Sequence, residues 1–218
     1  MSAAAEYLEN VLFAFAAFGS DAGGDADASA EAQAHLGRLV ARIRANDHSA
    51  FEALVVATAR PLEAYARRFT RSGDAAQDLV QDVFARVWEQ RAALAIRGSV
   101  RGYLYAAVRN RALDLRRRDA ADEARLTLAG DDAPLGMGRA SATAEQELER
   151  REIAARVAAA LETLPPRARE AALLRWVDGL SRAEVAGVMG VAVGTVKNHL
   201  LLAATTVRTL LADLRDTR

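Results

Sequence analysis

A chain of 218 residues, 51% hydrophobic and 27% charged, has room for one large or two small globular domains, and a formal net charge of zero gives it no overall field toward nucleic acid or acidic lipid. It contains no cysteine, which excludes a disulfide framework and thiolate metal sites, and His35, His48 and His199 are far apart in sequence, so neither a metal centre nor a cofactor is expected. All of the 29 basic residues except Lys197 are arginine; with so much alanine this reads as a GC-rich genome and is not by itself a sign of nucleic-acid binding.

Residues 1–31 form an extension that carries Glu6, Glu9, Asp21, Asp25, Asp27 and Glu31 and no base. Leu8, Val11, Leu12, Phe15 and Phe18 recur there at helical spacing, which predicts a short amphipathic helix followed by an acidic linker, GSDAGGDADAS. The apolar run from Val11 to Phe18 is far short of a bilayer span and follows acids instead of a basic segment, so a cytoplasmic protein without membrane insertion is expected.

From 32 to 118 the pattern is helical throughout. Ser49 with Glu52 reads as a capping box before an apolar stripe of Phe51, Leu54, Val55, Leu62, Tyr65, Ala66 and Phe69, with Pro61 expected to kink the helix. Asp74 with Gln77 reads as a second box. It opens a helix with Val80, Val83, Phe84, Val87 and Trp88 on one side and Asp78, Gln81, Asp82 and Glu89 on the other. A third helix is predicted from Ser99 to Arg118. Around it Arg97, Arg101, Arg109, Arg111, Arg116, Arg117 and Arg118 stand against the single acid Asp114, a local basic patch on a neutral chain. Tyr103 and Tyr105 interleave with these arginines, and stacking on an unpaired base contributes about 1 to 3 kcal/mol; of the two, Tyr103 is the better candidate for the core.

Periodicity then gives way, over 119–143, to a segment rich in Gly, Pro, Asp and Ser, read as a flexible interdomain linker. A second helical domain, 144–218, follows with a break at Pro165 and Pro166. In it SRAEVAGVMGVAVGTVKNHL has the pattern of a helix-turn-helix: Ala186 for close helix approach, Gly190 for the turn, Val191 and Val196 beneath it. The start of the second helix of such a pair enters the major groove, so Gly194, Thr195, Lys197, Asn198 and His199 are the candidate DNA contacts. No strand-like alternation is long enough for a sheet. The expected fold is all-α, two helical domains joined by a linker.

Three motifs in order carry a family resemblance. DAAQDLVQDVFARVWEQR (74–91), SVRGYLYAAVRNRALDLRRR (99–118) and LPPRAREAALLRWVDGLSRAEVAGVMGVAVGTVKNHL (164–200) resemble the polymerase-binding segment, the minus-ten helix and the minus-thirty-five domain of the extracytoplasmic-function (ECF) sigma factors of bacterial RNA polymerase. The resemblance implies a promoter-specificity subunit and not an enzyme, with core RNA polymerase, promoter DNA and an anti-sigma protein as candidate partners. It places polymerase binding at Asp78, Gln81, Asp82, Phe84 and Glu89, and minus-ten contact and melting at Arg97, Arg101, Tyr105, Arg109, Asn110, Asp114 and Arg117. Residues 94–98 correspond to the segment that captures a flipped base. Gly102, Tyr103 and Ala192 depart from the residues usual in the family, and Leu201 and Leu202 stand where arginine or histidine is common. A stand-alone helix-turn-helix regulator, or a degenerate sigma-like protein acting through protein contacts, is the alternative.

Overall fold

A computed structural model describes residues 25–123 and 159–216 of the chain. The amphipathic helix expected within 1–24, the linker beyond 123 and the start of the second domain lie outside these residues. The described residues fall into two compact units, 25–123 and 159–216.

The N-terminal unit consists of α1 (Asp25–Arg44), α2 (His48–Ala66), α3 (Gly73–Glu89) and α4 (Val100–Glu123). Helix α2 packs on α1, α3 and α4, and α4 also lies against α1 and α3. Each contributes one apolar stripe: Leu36, Leu39, Val40 and Ile43 from α1, Leu54, Leu62 and Tyr65 from α2, Leu79, Val80, Val83 and Val87 from α3, and Leu104, Tyr105, Val108 and Ala112 from α4. Of the predicted stripe, Leu54, Leu62, Tyr65 and Ala66 are buried and Phe51 and Val55 half-buried, while Phe69 lies beyond the end of α2; its one hydroxyl, Thr58, is accommodated by donating to the Leu54 carbonyl at 2.7 Å. The helix continues through Pro61 as a single element.

Several boundaries differ from those expected. Helix α1 already includes residues 25–31, so the acidic linker is shorter than its composition suggests, and α4 runs five positions past Arg118, to Glu123, into the segment read as linker. The caps are also displaced. Asp47, not Ser49, opens α2: its Oδ1 accepts from the Ala50 amide at 3.1 Å and from the Ser49 hydroxyl at 2.8 Å, while Oδ2 accepts from Arg42 Nε at 2.9 Å. Ser72, not Asp74, opens α3, accepting from the Ala75 amide at 3.1 Å. In each case the earlier side chain is the one that reaches an amide of the first turn, and the residue read as the cap is already helical.

Hydrogen bonds from Ser49, Ala50 and Arg42 hold the Asp47 carboxyl at about 2, below its ordinary 3.8. A carboxyl depressed by folding contributes stability above its unfolded pKa and loses that contribution as pH falls toward the folded value. Asp47→Asn, which cannot titrate, is therefore expected to flatten the loss of thermal stability between about pH 4 and about pH 2, followed by circular dichroism melts. Parallel pH profiles for the two proteins would show that this cap does not govern the acid response.

In the C-terminal unit, residues 159–162 are helical and are followed by α5 (Pro166–Ala172), which widens into a π-helical turn, Leu173–Val177. Arg169 closes the preceding helix by donating to the carbonyls of Leu161 (Nε, 2.8 Å) and Glu162, and it pairs with the Glu162 carboxylate at 3.2 Å. Helices α6 (Arg182–Met189) and α7 (Val193–Asp216) complete the unit, α7 packing on both α5 and α6. Leu174, Trp176, Leu180, Val185, Met189, Val196, Leu200, Ala203 and Val207 are buried together. Every regular element among the described residues is helical, and no single helix there is long and apolar enough to cross a membrane.

Candidate functional site

Helix α3 buries Leu79, Val80, Val83, Phe84 and Val87, and this turns Asp78, Gln81, Asp82 and Glu89 outward as one stripe at helical spacing. Two of the expected site residues are placed differently from what a docking face requires. Phe84 is 6% exposed, so it supports the stripe from beneath and offers no surface of its own. Asp82 is not a free acid: Arg111 of α4 reaches across to its Oδ2 with Nη2 at 2.6 Å and Nε at 3.2 Å. Asp78 and Glu89 have no ion-pair partner among the described residues and carry the open charge of the stripe.

Beside the stripe, Phe51 and Trp88 stack at 5.0 Å between centroids, with His48 against Trp88 at 5.1 Å. Arg91 covers the Trp88 ring at 4.3 Å and donates to Asn46 Oδ1 at 2.7 Å. Asn46 sits at φ 67°, a left-handed position that asparagine tolerates better than most residues. This corner ties the α1–α2 turn to the end of α3.

Helix α4 separates the expected minus-ten residues onto different faces. At 100° per residue, Asn110, Asp114 and Arg117 share a side with Tyr103, whereas Arg101 and Arg109 flank Tyr105. Tyr105 is 1% exposed and lies 4.9 Å from the Tyr65 ring, and the Arg101 guanidinium is 5.9 Å from its centroid. It belongs to the core and has no face for a base. The reading of the two tyrosines is thus reversed: Tyr103 is the half-buried aromatic that lies with Asn110, Asp114 and Arg117, and the last two pair at 3.1 Å. The start of α4 is fixed by the Ser99 hydroxyl, which accepts from the Gly102 amide at 2.8 Å. Ahead of it, Gly98 takes φ 87°, a value that leaves Arg97 exposed on a bend between buried Leu94 and buried Val100.

In the C-terminal unit a capping box opens α6. Ser181 Oγ accepts from the Glu184 amide at 3.2 Å, and the Ser181 amide donates to Glu184 Oε2 at 2.7 Å. Gly190, at φ 65°, ends the helix in the left-handed conformation, and the Val191 amide donates back to the Ala186 carbonyl at 3.1 Å. Ala186 is buried at this crossing, as close helix approach requires. The chain then enters α7 through Ala192. Val196 and Leu200 anchor the first turns of α7 in the core, leaving Gly194, Thr195, Lys197 and Asn198 exposed together and His199 half-buried at their edge. Nothing lies within 4 Å of where a Cβ on Gly194 would stand. All five residues expected to contact DNA in this domain therefore lie at one end of one helix.

Comparison with known proteins agrees with this division. The sigma-70 region 2 model matches residues 54–121 and the sigma-70 region 4 model matches residues 154–207. The ECF RNA polymerase sigma-E factor of Escherichia coli strain K12 is 30% identical over 171 residues, which span 76% of this chain and 88% of that protein. The chain belongs to the ECF sigma factors. A probable RNA polymerase sigma factor, RfaY, of Xanthomonas campestris pv. campestris is 31% identical over 176 residues, 77% of this chain and 42% of RfaY. Among solved structures, CnrH in complex with the cytosolic domain of CnrY aligns with a TM-score of 0.54 at 25% identity, covering 80% of this sigma factor and 96% of CnrH. The sigma factor RpoE of Bartonella quintana, solved with the anti-sigma factor NepR, shares the fold with a TM-score of 0.56 at 22% identity, covering 74% and 96%.

Sequence reasoning overlooked two contributors to these surfaces of the sigma factor. Ser181 with Glu184 was legible as a capping box, S-x-x-E ahead of Val185, and it sets the direction of α6. The Arg111–Asp82 pair had no sequence signal, because the two residues are 29 positions apart on different helices.

Proposed function

We infer that this ECF sigma factor binds core RNA polymerase through the α3 stripe, engages the minus-ten element and helps open the duplex through α4, and reads the minus-thirty-five element with the start of α7. What carries the reading is one observation: the acidic stripe of Asp78, Gln81, Asp82 and Glu89 and the face of Tyr103, Asn110, Asp114 and Arg117 lie on adjoining helices of one unit. A stand-alone helix-turn-helix regulator has no need of either surface. The acids suit a basic helical partner, Tyr103 with Arg117 suits an unpaired base and its phosphate, and Lys197 and Asn198 suit phosphate and adenine edges in a major groove. Arg97, Arg101 and Arg109 add positive charge around the start and flank of α4. The related CnrH and RpoE were solved with CnrY and with an anti-sigma factor, respectively, and a protein of the anti-sigma kind is a candidate partner here as well.

Run-off transcription with core polymerase on a library of promoter fragments tests this directly. Transcripts that depend on the added sigma factor and begin at a common pair of elements are expected. Failure to co-purify with core enzyme, together with sequence-specific duplex binding by the sigma factor alone, would favour the stand-alone regulator.

A further inference from the structure

From Val193 to Thr209 helix α7 carries no acid. Opposite its buried stripe, Gly194, Lys197, Asn198 and Leu201 stand at the i, i+3, i+4, i+7 spacing of residues that face one way, and Leu202 lies one turn beyond Asn198. Leu201 and Leu202 are 56% and 45% exposed. On the next turn the Thr205 and Thr206 hydroxyls donate back to the carbonyls of Leu201 and Leu202 at 2.9 and 3.1 Å, so their protons are spent on the helix itself. Along this face polar side chains give way to apolar ones just after Asn198.

Two observations point to what meets the pair. Gly194 lowers helix propensity at the head of the same face, yet its φ is not left-handed and no neighbour in the chain stands where its Cβ would be. A missing side chain there serves the close approach of something outside the chain, and a face without acids suits a polyanion. A protein partner needs an interface of about 800 Å² per side, far more than two half-exposed leucines flanked by Lys197, Asn198 and Thr205 supply. A helix lying in the major groove of DNA has a closer match. The base edges there display donors, acceptors and a single apolar group, the C5-methyl of thymine. Opposite a G·C pair the same leucines would cover the cytosine amino group without accepting its hydrogen bond, which is unfavourable.

We propose that Leu201 and Leu202 are specificity residues of the minus-thirty-five contact, packing on thymine C5-methyl groups one helical turn beyond the bases that Lys197 and Asn198 meet. The promoter element of this sigma factor then carries thymine where that turn of α7 lies. The proposal deepens the reading of α7 given above and rests on it.

Holoenzyme assembled from core polymerase and the full chain is used to select duplexes from a pool randomised at the minus-thirty-five element, and thymine is expected among the enriched positions. The selected duplex is then remade with deoxyuridine for each thymine of that element, which removes the C5-methyl and leaves base pairing and the O4 acceptor in place. Affinity of the parent holoenzyme is expected to fall about fourfold for each methyl that had been covered. Leu201→Ala with Leu202→Ala puts good helix formers on an exposed face, so α7 is retained. This double variant is expected to bind both duplexes alike, at about the affinity of the parent for the deoxyuridine duplex. A selected element without thymine, equal binding of the two duplexes by the parent, or undiminished discrimination by the double variant would overturn the methyl contact and leave the minus-thirty-five reading of α7 standing. A pool that yields no preferred minus-thirty-five sequence would overturn both.

Discussion

Truncating Tyr105 to alanine is expected to melt the N-terminal unit, not to weaken a grip on unpaired DNA. The ring is 1% exposed and packs 4.9 Å from Tyr65, at the point where α2 and α4 cross the core. Removing a buried aromatic ring costs about 3 to 5 kcal/mol, a large share of the roughly 5 to 15 kcal/mol that separates a typical native domain from its unfolded chain. Tyr103→Ala should leave the unit folded and instead reduce promoter opening, since this half-buried ring shares its side of α4 with Asn110, Asp114 and Arg117. Urea unfolding and permanganate reactivity of promoter thymines separate the two effects. A Tyr105→Ala protein as stable as its parent would remove that ring from the core, and normal thymine reactivity with Tyr103→Ala would leave the exposed side of α4 without a role in opening.

The second large effect is expected from Asp78→Arg combined with Glu89→Arg. Both acids stand on the outward stripe of α3 and neither has an ion-pair partner among the described residues, so reversing them changes the face proposed to meet polymerase and leaves the buried side of α3 intact. Loss of close opposite charges at an interface, replaced by like charges, should weaken binding to core enzyme by at least about tenfold, measured by co-purification or by fluorescence anisotropy of labelled sigma factor. Asp82→Arg is a poorer probe. It would place a second cation against Arg111, whose side chain is 16% exposed, and so would destabilise the unit along with any interface. If the Asp78 and Glu89 double variant is folded and binds polymerase as its parent does, the stripe is merely solvated.

Much of the fold was legible because helical burial repeats at short range. Val196, Leu200, Ala203 and Val207 mark the inner face of α7 in the sequence, and each is buried, while Leu201 and Leu202 fall outside that stripe and are exposed. Gly190 announced the turn through the one backbone conformation that favours its residue type. Residues whose placement depends on distant partners were harder to read. Tyr103 and Tyr105 both suit a half-buried α4, and which one faces the core is decided by Tyr65, forty positions earlier on α2. The caps of α2 and α3 shifted because aspartate and serine are interchangeable as cap residues in a string, whereas backbone geometry selects the one just outside the first helical turn.

The bond between Arg111 and Asp82 joins the helix assigned to polymerase to the helix assigned to DNA. A basic group that takes the Asp82 oxygen held by Arg111 would displace the guanidinium, and an anion that draws Arg111 away would free Asp82. Whichever event comes first has already broken the pair, so the other proceeds without that cost. If both surfaces act as proposed, thermodynamic linkage would make the assistance reciprocal, each ligand raising affinity for the other by one and the same factor. On that reading, one half-buried ion pair would hold the free sigma factor back from either ligand alone.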